Sequence, residues 1–350
     1  MSRKLVLTVV ALLLSCAAAL AVIGFVEGPR SPVLWAQRQL TILSVRGGPE
    51  IVLEVDAEAV RRRGNELLRR DVVTLLRKAR VTFSTRLTDA GVDILAQADD
   101  RQTVMGQLRN EFGTSEGVDI KLADDGAVRI SFTDAGLLEG TRRAAELSRD
   151  LIAARLAGLG MRVVVTVQPQ QAGTRLLVQM ARSDDPKRLI AFATKPGELG
   201  LRMIDDSMTP EKALATAPPP DSEVLYDRPE SGKHAFLVER RVIVSGSDLT
   251  DAQPGFDQRT NEPIVSFRFS AAGTRKFAQA TAEGVGRAMA IVVDGEVLSA
   301  PVIREPITGG SGQISGNFTV QSANDLAAVL RYGELPARLK VVEERAAKAQ

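Results

Sequence analysis

The sequence holds 350 residues with a formal net charge of +2; 25% of its side chains are charged and 44% are apolar. That length allows two or three domains with a real core, and the near-neutral charge excludes the strong field of a nucleic-acid binder. Aromatics at 4%, one cysteine and one histidine exclude base-stacking platforms, disulfide frameworks, thiolate metal sites and most histidine-centred triads.

Arg3 and Lys4 precede a run that carries no charge over residues 5–26. As a helix it is long enough to cross a hydrocarbon core of about 30 Å. Its positive flank orients it so that everything after it is exported. A retained signal anchor over residues 1–35 fits the length and flanks best. A cleaved signal peptide is the second reading, because Ala17-Ala18-Ala19 and Ala19-Leu20-Ala21 carry small residues at cleavage spacing. Leu13-Leu14-Ser15-Cys16 resembles a lipobox, which makes Cys16 a lipidation candidate; the apolar residues after it oppose this. Trp35 sits beyond the run, at an outer interface or packed on the next domain. No later run approaches membrane length, so the sequence predicts at most one span.

Residues 40–55 predict two strands around a Gly47-Gly48 turn. Asp56 is placed to cap a helix running to about Ala79, with Val60, Leu67, Leu68, Val72, Leu75 and Leu76 on its buried side. The other side carries Arg61, Arg62, Arg63, Arg69, Arg70, Arg77, Lys78 and Arg80, a solvated face or a contact for anionic lipid or acidic polypeptide. Strands follow at 81–86 and 92–96, a helix at 102–112, and two strands at 118–122 and 127–132 around Asp124-Asp125-Gly126. A long helix spans 134–157, with Leu138, Ala145, Leu151, Ile152 and Leu156 on its apolar side. Strands at 162–167 and 175–180, a short helix opened by Asp185-Pro186, and a strand at 198–204 complete this part. Helices and strands alternate irregularly among hairpins, which predicts α+β and not a doubly wound parallel sheet.

Residues 205–222 are polar and end in Pro218-Pro219-Pro220, which reads as an extended linker. A second unit shows strands at 235–245 and 264–269 and a helix from about Ser270. Residues 288–293 form a buried strand, Asp294-Gly295 a type I′ turn, and 297–303 the return strand, limited by Pro301 and Pro306. The glycine-rich GGSGQISG at 309–316 lacks a P-loop lysine, so a flexible hairpin or loop outweighs an anion site. Thr319 caps a last helix with Val320, Ala323, Leu326, Ala327 and Leu330 on one face, Gly333 ends it, and residues 339–342 form a final strand. The acidic pairs at 124–125, 184–185 and 205–206 lie beside turn formers, and His234 sits in a loop. No nucleophile–base pair or metal cluster stands out, so the expectation is a non-enzyme without a cofactor.

These residues carry a resemblance. Leu43-Ser44-Val45-Arg46-Gly47-Gly48 with Ile51-Val52-Leu53-Glu54-Val55-Asp56 is similar to the Leu-Asp-Leu-Arg-Gly-Gly…Leu-Leu-Glu-Val-Asp start of the SecD family, with Ser44 in place of its aspartate. Gly173-Thr174-Arg175-Leu176-Leu177-Val178-Gln179 followed by Asp185-Pro186 resembles a second family segment, and residues 244–252 a third. The most specific matches are residues 290–295, Ser299-Ala300-Pro301, Ile314-Ser315-Gly316-Asn317-Phe318 and Leu335-Pro336…Val342-Glu343-Glu344-Arg345. Arg46, Gly47, Gly48, Asp294, Gly295, Pro301, Gly316 and Pro336 are thus structural motif positions.

The resemblance implies a ferredoxin-like α+β base carrying an inserted smaller head, after one membrane helix. It divides the chain into an anchor (1–35), a base (36–204), a linker (205–222), a head (223–318), a helix and strand returning to the base (319–345) and a tail (346–350). It implies a single-pass protein of the bacterial inner membrane with its bulk in the periplasm. The implied partners are unfolded secretory preproteins, SecF-like and translocon membrane subunits and the membrane, with no nucleic acid. The family continues after Glu-Glu-Arg into five more spans that couple proton flow to movement, so the resemblance carries over the periplasmic architecture without that motor. Candidate preprotein contacts are Phe256, Phe267, Phe269, Phe277 and Phe318, each weighed against core packing. The alternatives are a stand-alone tethered or lipidated chaperone or regulator, competing or pairing with a full subunit, and a ligand- or anion-binding protein using the glycine-rich loop.

Overall fold

A computed structural model describes residues 45, 48–113, 117–170, 173–181, 185–227 and 234–346. The anchor expected at 1–35, Cys16, Trp35, Arg46, Gly47, Asp184 and residues 347–350 lie outside the described residues. No helix among the described residues is long and apolar enough to cross a membrane.

The architecture is mixed α+β, and its first sheet is assembled from both ends of the sequence. β1 (Glu50–Val55) pairs antiparallel with β7 (Gly173–Met180) on one side and β17 (Leu339–Arg345) on the other, and β7 pairs with β6 (Val163–Gln170). The order is β17-β1-β7-β6. Residues of β1 and β7 that alternate inward, Ile51, Leu53, Val55, Leu176, Val178 and Met180, meet Ala145, Ile152 and Leu156 of α3 (Asp134–Gly158) and Leu189 and Phe192 of α4 (Pro186–Thr194). Thr133 caps α3, and Asp185 caps α4 with Pro186 at its first turn. Leu138, expected on the buried side of α3, is 46% exposed. It shares the helical face of Ala145, Ile152 and Leu156 but lies in the first turns, ahead of the buried stretch that begins at Thr141.

A second four-stranded sheet, β2-β3-β5-β4, is inserted between α1 (Ala57–Lys78) and α3. Its strands are β2 (Phe83–Thr88), β3 (Gly91–Ala96), β4 (Val118–Leu122) and β5 (Val128–Phe132), with α2 (Arg101–Phe112) between the hairpins. Leu68, Val72 and Leu76 of α1 close its core together with Ile94, Leu108 and Ile130. Leu67 is half exposed, one residue and about 100° from the buried 68-72-76 row, so its expected burial does not occur. Asp56 accepts hydrogen bonds from Glu58 N and Ala59 N and forms an ion pair with Lys340 of β17, which fastens the start of α1 to the first sheet.

The remaining chain forms two sheets facing each other. The six-stranded sheet runs β10-β9-β15-β14-β8-β11: β8 (Leu199–Met203), β9 (Ser222–Asp227), β10 (Ala235–Glu239), β11 (Val244–Ser245), β14 (Met289–Val293) and β15 (Glu296–Ser299). The three-stranded sheet runs β12 (Leu249–Phe256), β13 (Pro263–Phe269), β16 (Ser311–Ile314). Leu199, Leu201, Met289, Ile291 and Val293 from the first meet Val265, Phe267, Phe269 and Ile314 from the second, with Phe277 of α6 (Ala271–Glu283) and Leu326 and Leu330 of α7 (Val320–Tyr332).

Three expectations change here. The strand expected to close the first part, at 198–204, is β8, and it pairs with β14 in the six-stranded sheet. β14 lies between β15 and β8 in that sheet, and every one of its residues is buried. Inside the proposed 205–222 linker, Thr209 and Pro210 start a helix, α5 (Pro210–Thr216). The glycine-rich 309–316 segment is not a free loop, because its Ser311–Ile314 part is β16, laid on β13. Extended backbone requires no side chain to form a ladder, so glycine content alone misjudged it.

Candidate functional site: the crossing point and the three-stranded sheet

The chain passes from the first sheet into the two facing sheets at residues 195–198 and returns at 333–337. Leu335 N donates to Pro196 O at 2.8 Å, so the outgoing and returning segments are bonded to each other. Arg155 of α3, with no exposed surface, holds both: Nη1 donates to Lys195 O at 2.6 Å, Nη2 donates to Pro196 O at 2.9 Å, and Nη2 also donates to Gly333 O. Burial lowers the Arg155 pKa to about 10, against the pull of Asp294 and Glu334. Gly197 (φ +78°) and Gly333 (φ +88°) make the two bends in left-handed backbone that glycine adopts at no steric cost.

The hairpin turn at 294–295 reaches the same place. Asp294 (φ 54°) and Gly295 (φ +84°) have the positive φ values that a type I′ turn needs. Asp294 N donates to Glu198 O at 2.9 Å, and Glu198 N donates to Asp294 Oδ1 at 2.8 Å. Desolvation in the crowded junction, reinforced by the Glu334 and Asp294 carboxylates, raises the Glu198 carboxyl above its ordinary range. A groove of about 570 Å³ lies beside the crossing, walled by Arg62, Glu66, Leu67 and Arg70 of α1 and by Glu198, Glu334 and Pro336. Arg63 forms an ion pair with Glu334 across it. α7 belongs to both sides of the junction: Leu326 and Leu330 enter the core between the facing sheets, while Val329 enters the core of the first sheet.

Among the described motif positions, Gly48, Pro301 and Gly316 sit in close backbone contacts. A β-carbon on Gly48 would lie 2.0 Å from Met180 O. Pro301 O accepts from Met289 N at 3.0 Å, and Gly316 O accepts from Phe318 N at 2.6 Å. His234 is exposed and contacts Asp227 through Nδ1 at 2.9 Å. Asp125 accepts from Ala127 N and pairs with Arg86, and Asp205 accepts from Ser207 N, so these acidic residues serve turns.

The five phenylalanines separate clearly. Phe267, Phe269, Phe277 and Phe318 are each 8% exposed or less and share one core. Phe269 packs at a tilt against Phe267 at 4.9 Å and edge-on against Phe277 at 5.3 Å between ring centroids. These four are packing residues, which corrects their candidacy as contacts: a ring used to close the core is out of a partner's reach. Phe256, at the end of β12, is 53% exposed. What sequence reasoning missed is the Arg155 clamp. An arginine inside a long amphipathic helix gives no local signal of the three carbonyls it meets, which belong to residues 195, 196 and 333.

A family match begins within the two facing sheets, after β8, and ends at the returning segment. The family described as "SecDF, P1 head subdomain" matches residues 222–337, from the start of β9 to the returning segment. The protein translocase subunit SecD of Acetobacter pasteurianus is 33% identical over 91% of this chain and 61% of its own length; that of Magnetococcus marinus is 33% identical over 87% of this chain and 58% of its own. Two solved SecDF structures are similar at 29% identity. One, described as a membrane component that enhances protein export, has a TM-score of 0.45, covering 59% of this chain and 94% of its own. The other, a super-membrane-facing form, has a TM-score of 0.46, covering 58% of this chain and 28% of its own. The chain thus spans about three fifths of the length of the curated relatives it matches. With its head subdomain matched over 222–337 and its sequence aligned to SecD proteins over nine tenths of its length, the chain belongs to the SecD family.

Proposed function

We propose that this chain is the periplasmic module of a SecD-type export factor, which receives unfolded secretory polypeptides as they leave the translocation channel and works beside SecF-like and translocon membrane subunits. In this reading residues 5–26 anchor it to the inner membrane as a single span, and it performs no bond chemistry of its own. The observation that carries the reading is the alignment at 33% identity over 91% of the chain to a SecD protein, with the head subdomain inside it. The β17-β1-β7-β6 order, antiparallel throughout and crossed by α3, supports treating the first sheet as a ferredoxin-like base. The two adjacent crossing segments support a head inserted into that base.

Photocrosslinking from the exposed Phe256 position to a secretory chain stalled in the translocation channel tests the reading. A crosslink is expected; yield no higher than that from an unrelated tethered periplasmic protein sinks it. Membrane fractionation, with gel mobility of wild type against Cys16→Ala, separates a retained anchor from a lipidated or cleaved form.

A further inference from the structure

We propose that the outer edge of β16 is a strand-addition site for an extended, unfolded polypeptide; this rests on the reading that the head receives such chains. β16 ends the three-stranded sheet, and among the described residues no strand pairs with its far side. The register fixes which groups face outward. Phe269 N donates to Gly310 O at 2.8 Å, and Phe267 stands opposite Gly312 and Val265 opposite Ile314. Backbone direction alternates along a strand, so Gly312 and Ile314 face back to β13, and Ser311 and Gln313 turn their N–H and C=O groups outward. Both residues are exposed.

Open edges are ordinarily guarded by charge or proline. Elsewhere such guards are present: Arg86 on β2, Lys121 on β4, Pro169 on β6 and Lys340 on β17. Ser311–Ile314 and the Ser315-Gly316-Asn317 that follows carry neither. Small neutral side chains leave the main chain open to approach, and main-chain bonding ignores the sequence of the added strand. Beside this edge, a cavity of about 490 Å³ lined by Asp251, Gln253, Ser266, Arg268 and Gln313 can take alternate side chains of the incoming strand without demanding a particular one. An unfolded chain of arbitrary sequence matches that chemistry. A second copy of this protein matches it poorly, because a four-residue edge meeting itself falls far below the ~1,000 Å² of a stable interface.

The test uses the full chain in detergent and a fluorescent, reduced and alkylated protein that cannot fold. Gln313→Pro removes one outward donor while leaving the ladder to β13 intact, and Gln313→Ala keeps that donor. Gln313→Pro is expected to weaken binding about fivefold or more, with Gln313→Ala matching wild type. Residue-resolved amide exchange gives a reading that needs no variant: addition of the unfolded protein slows Ser311 and Gln313 and leaves Gly312 and Ile314 unchanged. Wild-type binding with equal affinity in all three proteins and no change at Ser311 and Gln313 overturns the edge site while sparing the broader function. Absence of wild-type binding overturns both. Concentration-dependent dimers that Gln313→Pro abolishes assign the edge to a second copy and overturn the proposal.

Discussion

A β-carbon on Gly197 would stand 2.5 Å from Nη2 of Arg155, so the outgoing segment and the guanidinium that holds it fill one fitted space. Gly197→Ala therefore meets two penalties, a left-handed φ and a displaced arginine, and is expected to cost about 2–3 kcal/mol. Arg155→Met removes the guanidinium from three carbonyl oxygens, of which Pro196 O keeps Leu335 N, and is expected to cost about 3 kcal/mol or more. Arg155→Lys regains little, because an ammonium lacks the planar fork that reaches both segments. Urea denaturation followed by circular dichroism measures all three, and the combined Gly197→Ala/Arg155→Met protein should lose less than the sum. Wild-type midpoints for these variants would remove the clamp from the account.

Glu198 predicts a pH dependence. Its carboxyl is raised in the folded protein, so the folded state holds the proton more tightly than the unfolded chain does. Stability contributed by this group is then full below its ordinary pKa of 4.5 and falls as pH rises through the raised value. Glu198→Gln should raise the denaturation midpoint at pH 8 and leave it unchanged near pH 4. A lower midpoint at pH 8 would mean that the pull of Arg63 and Arg338 outweighs the crowding.

Asp93 behaves in the opposite sense. Its side chain is completely buried on β3, bonded to Arg129 at 2.6 and 3.0 Å and to Arg86 at 3.2 Å, and the Arg129 bonds hold its carboxyl below the ordinary 3.8. This contribution is present above pH 3.8 and is lost as pH falls through the lowered value. Asp93→Asn takes the charge partner from Arg129, while Arg86 keeps Asp125, and is expected to cost about 1–3 kcal/mol at pH 7, with the gap to wild type narrowing in acid. Thermal unfolding from pH 2 to 7 checks both statements.

The phenylalanines separate core from surface. Phe267→Ala and Phe277→Ala should each cost about 3–5 kcal/mol through the space they vacate. Phe256→Ser should stay within about 0.5 kcal/mol of wild type, since its ring is half in solvent. A large loss at Phe256 would assign it to packing and remove it as a crosslinking position.

Much of this architecture was legible in local pattern. Asp56, Thr133, Asp185, Ser270 and Thr319 each cap a helix where side-chain chemistry places one. The apolar 288–293 run became a strand with both faces covered, Met289, Ile291 and Val293 entering one core and Ala290 and Val292 another. Pairing partners were not legible. Glu198 and Leu199 look like the end of one domain, and only the distant β14 shows that they begin another. β12 was missed because Pro254 and Gly255 break its pattern, and β16 because its Ser-Gly-Gln segment has no apolar alternation. Periodicity marks Phe267 and Phe269 correctly as alternating, but it cannot say whether the apolar face meets a partner or the protein's own core. Arg155 is the extreme case, since its meaning lies entirely in backbone 40 to 178 residues away.

The pairing of β1 with β17 has a consequence for synthesis. Arg345 reaches Glu50 across 295 positions, so β1 is made long before the strand that covers its second side. β7 arrives earlier and closes one flank of β1. The other flank waits until the facing sheets have formed and α7 has brought the chain back. Long-range closure of this kind is slow, and an uncovered strand flank invites misassembly meanwhile. The nascent protein thus carries an exposed flank of its own until residues 339–345 emerge, and a chaperone able to shield it would act on this protein during that interval.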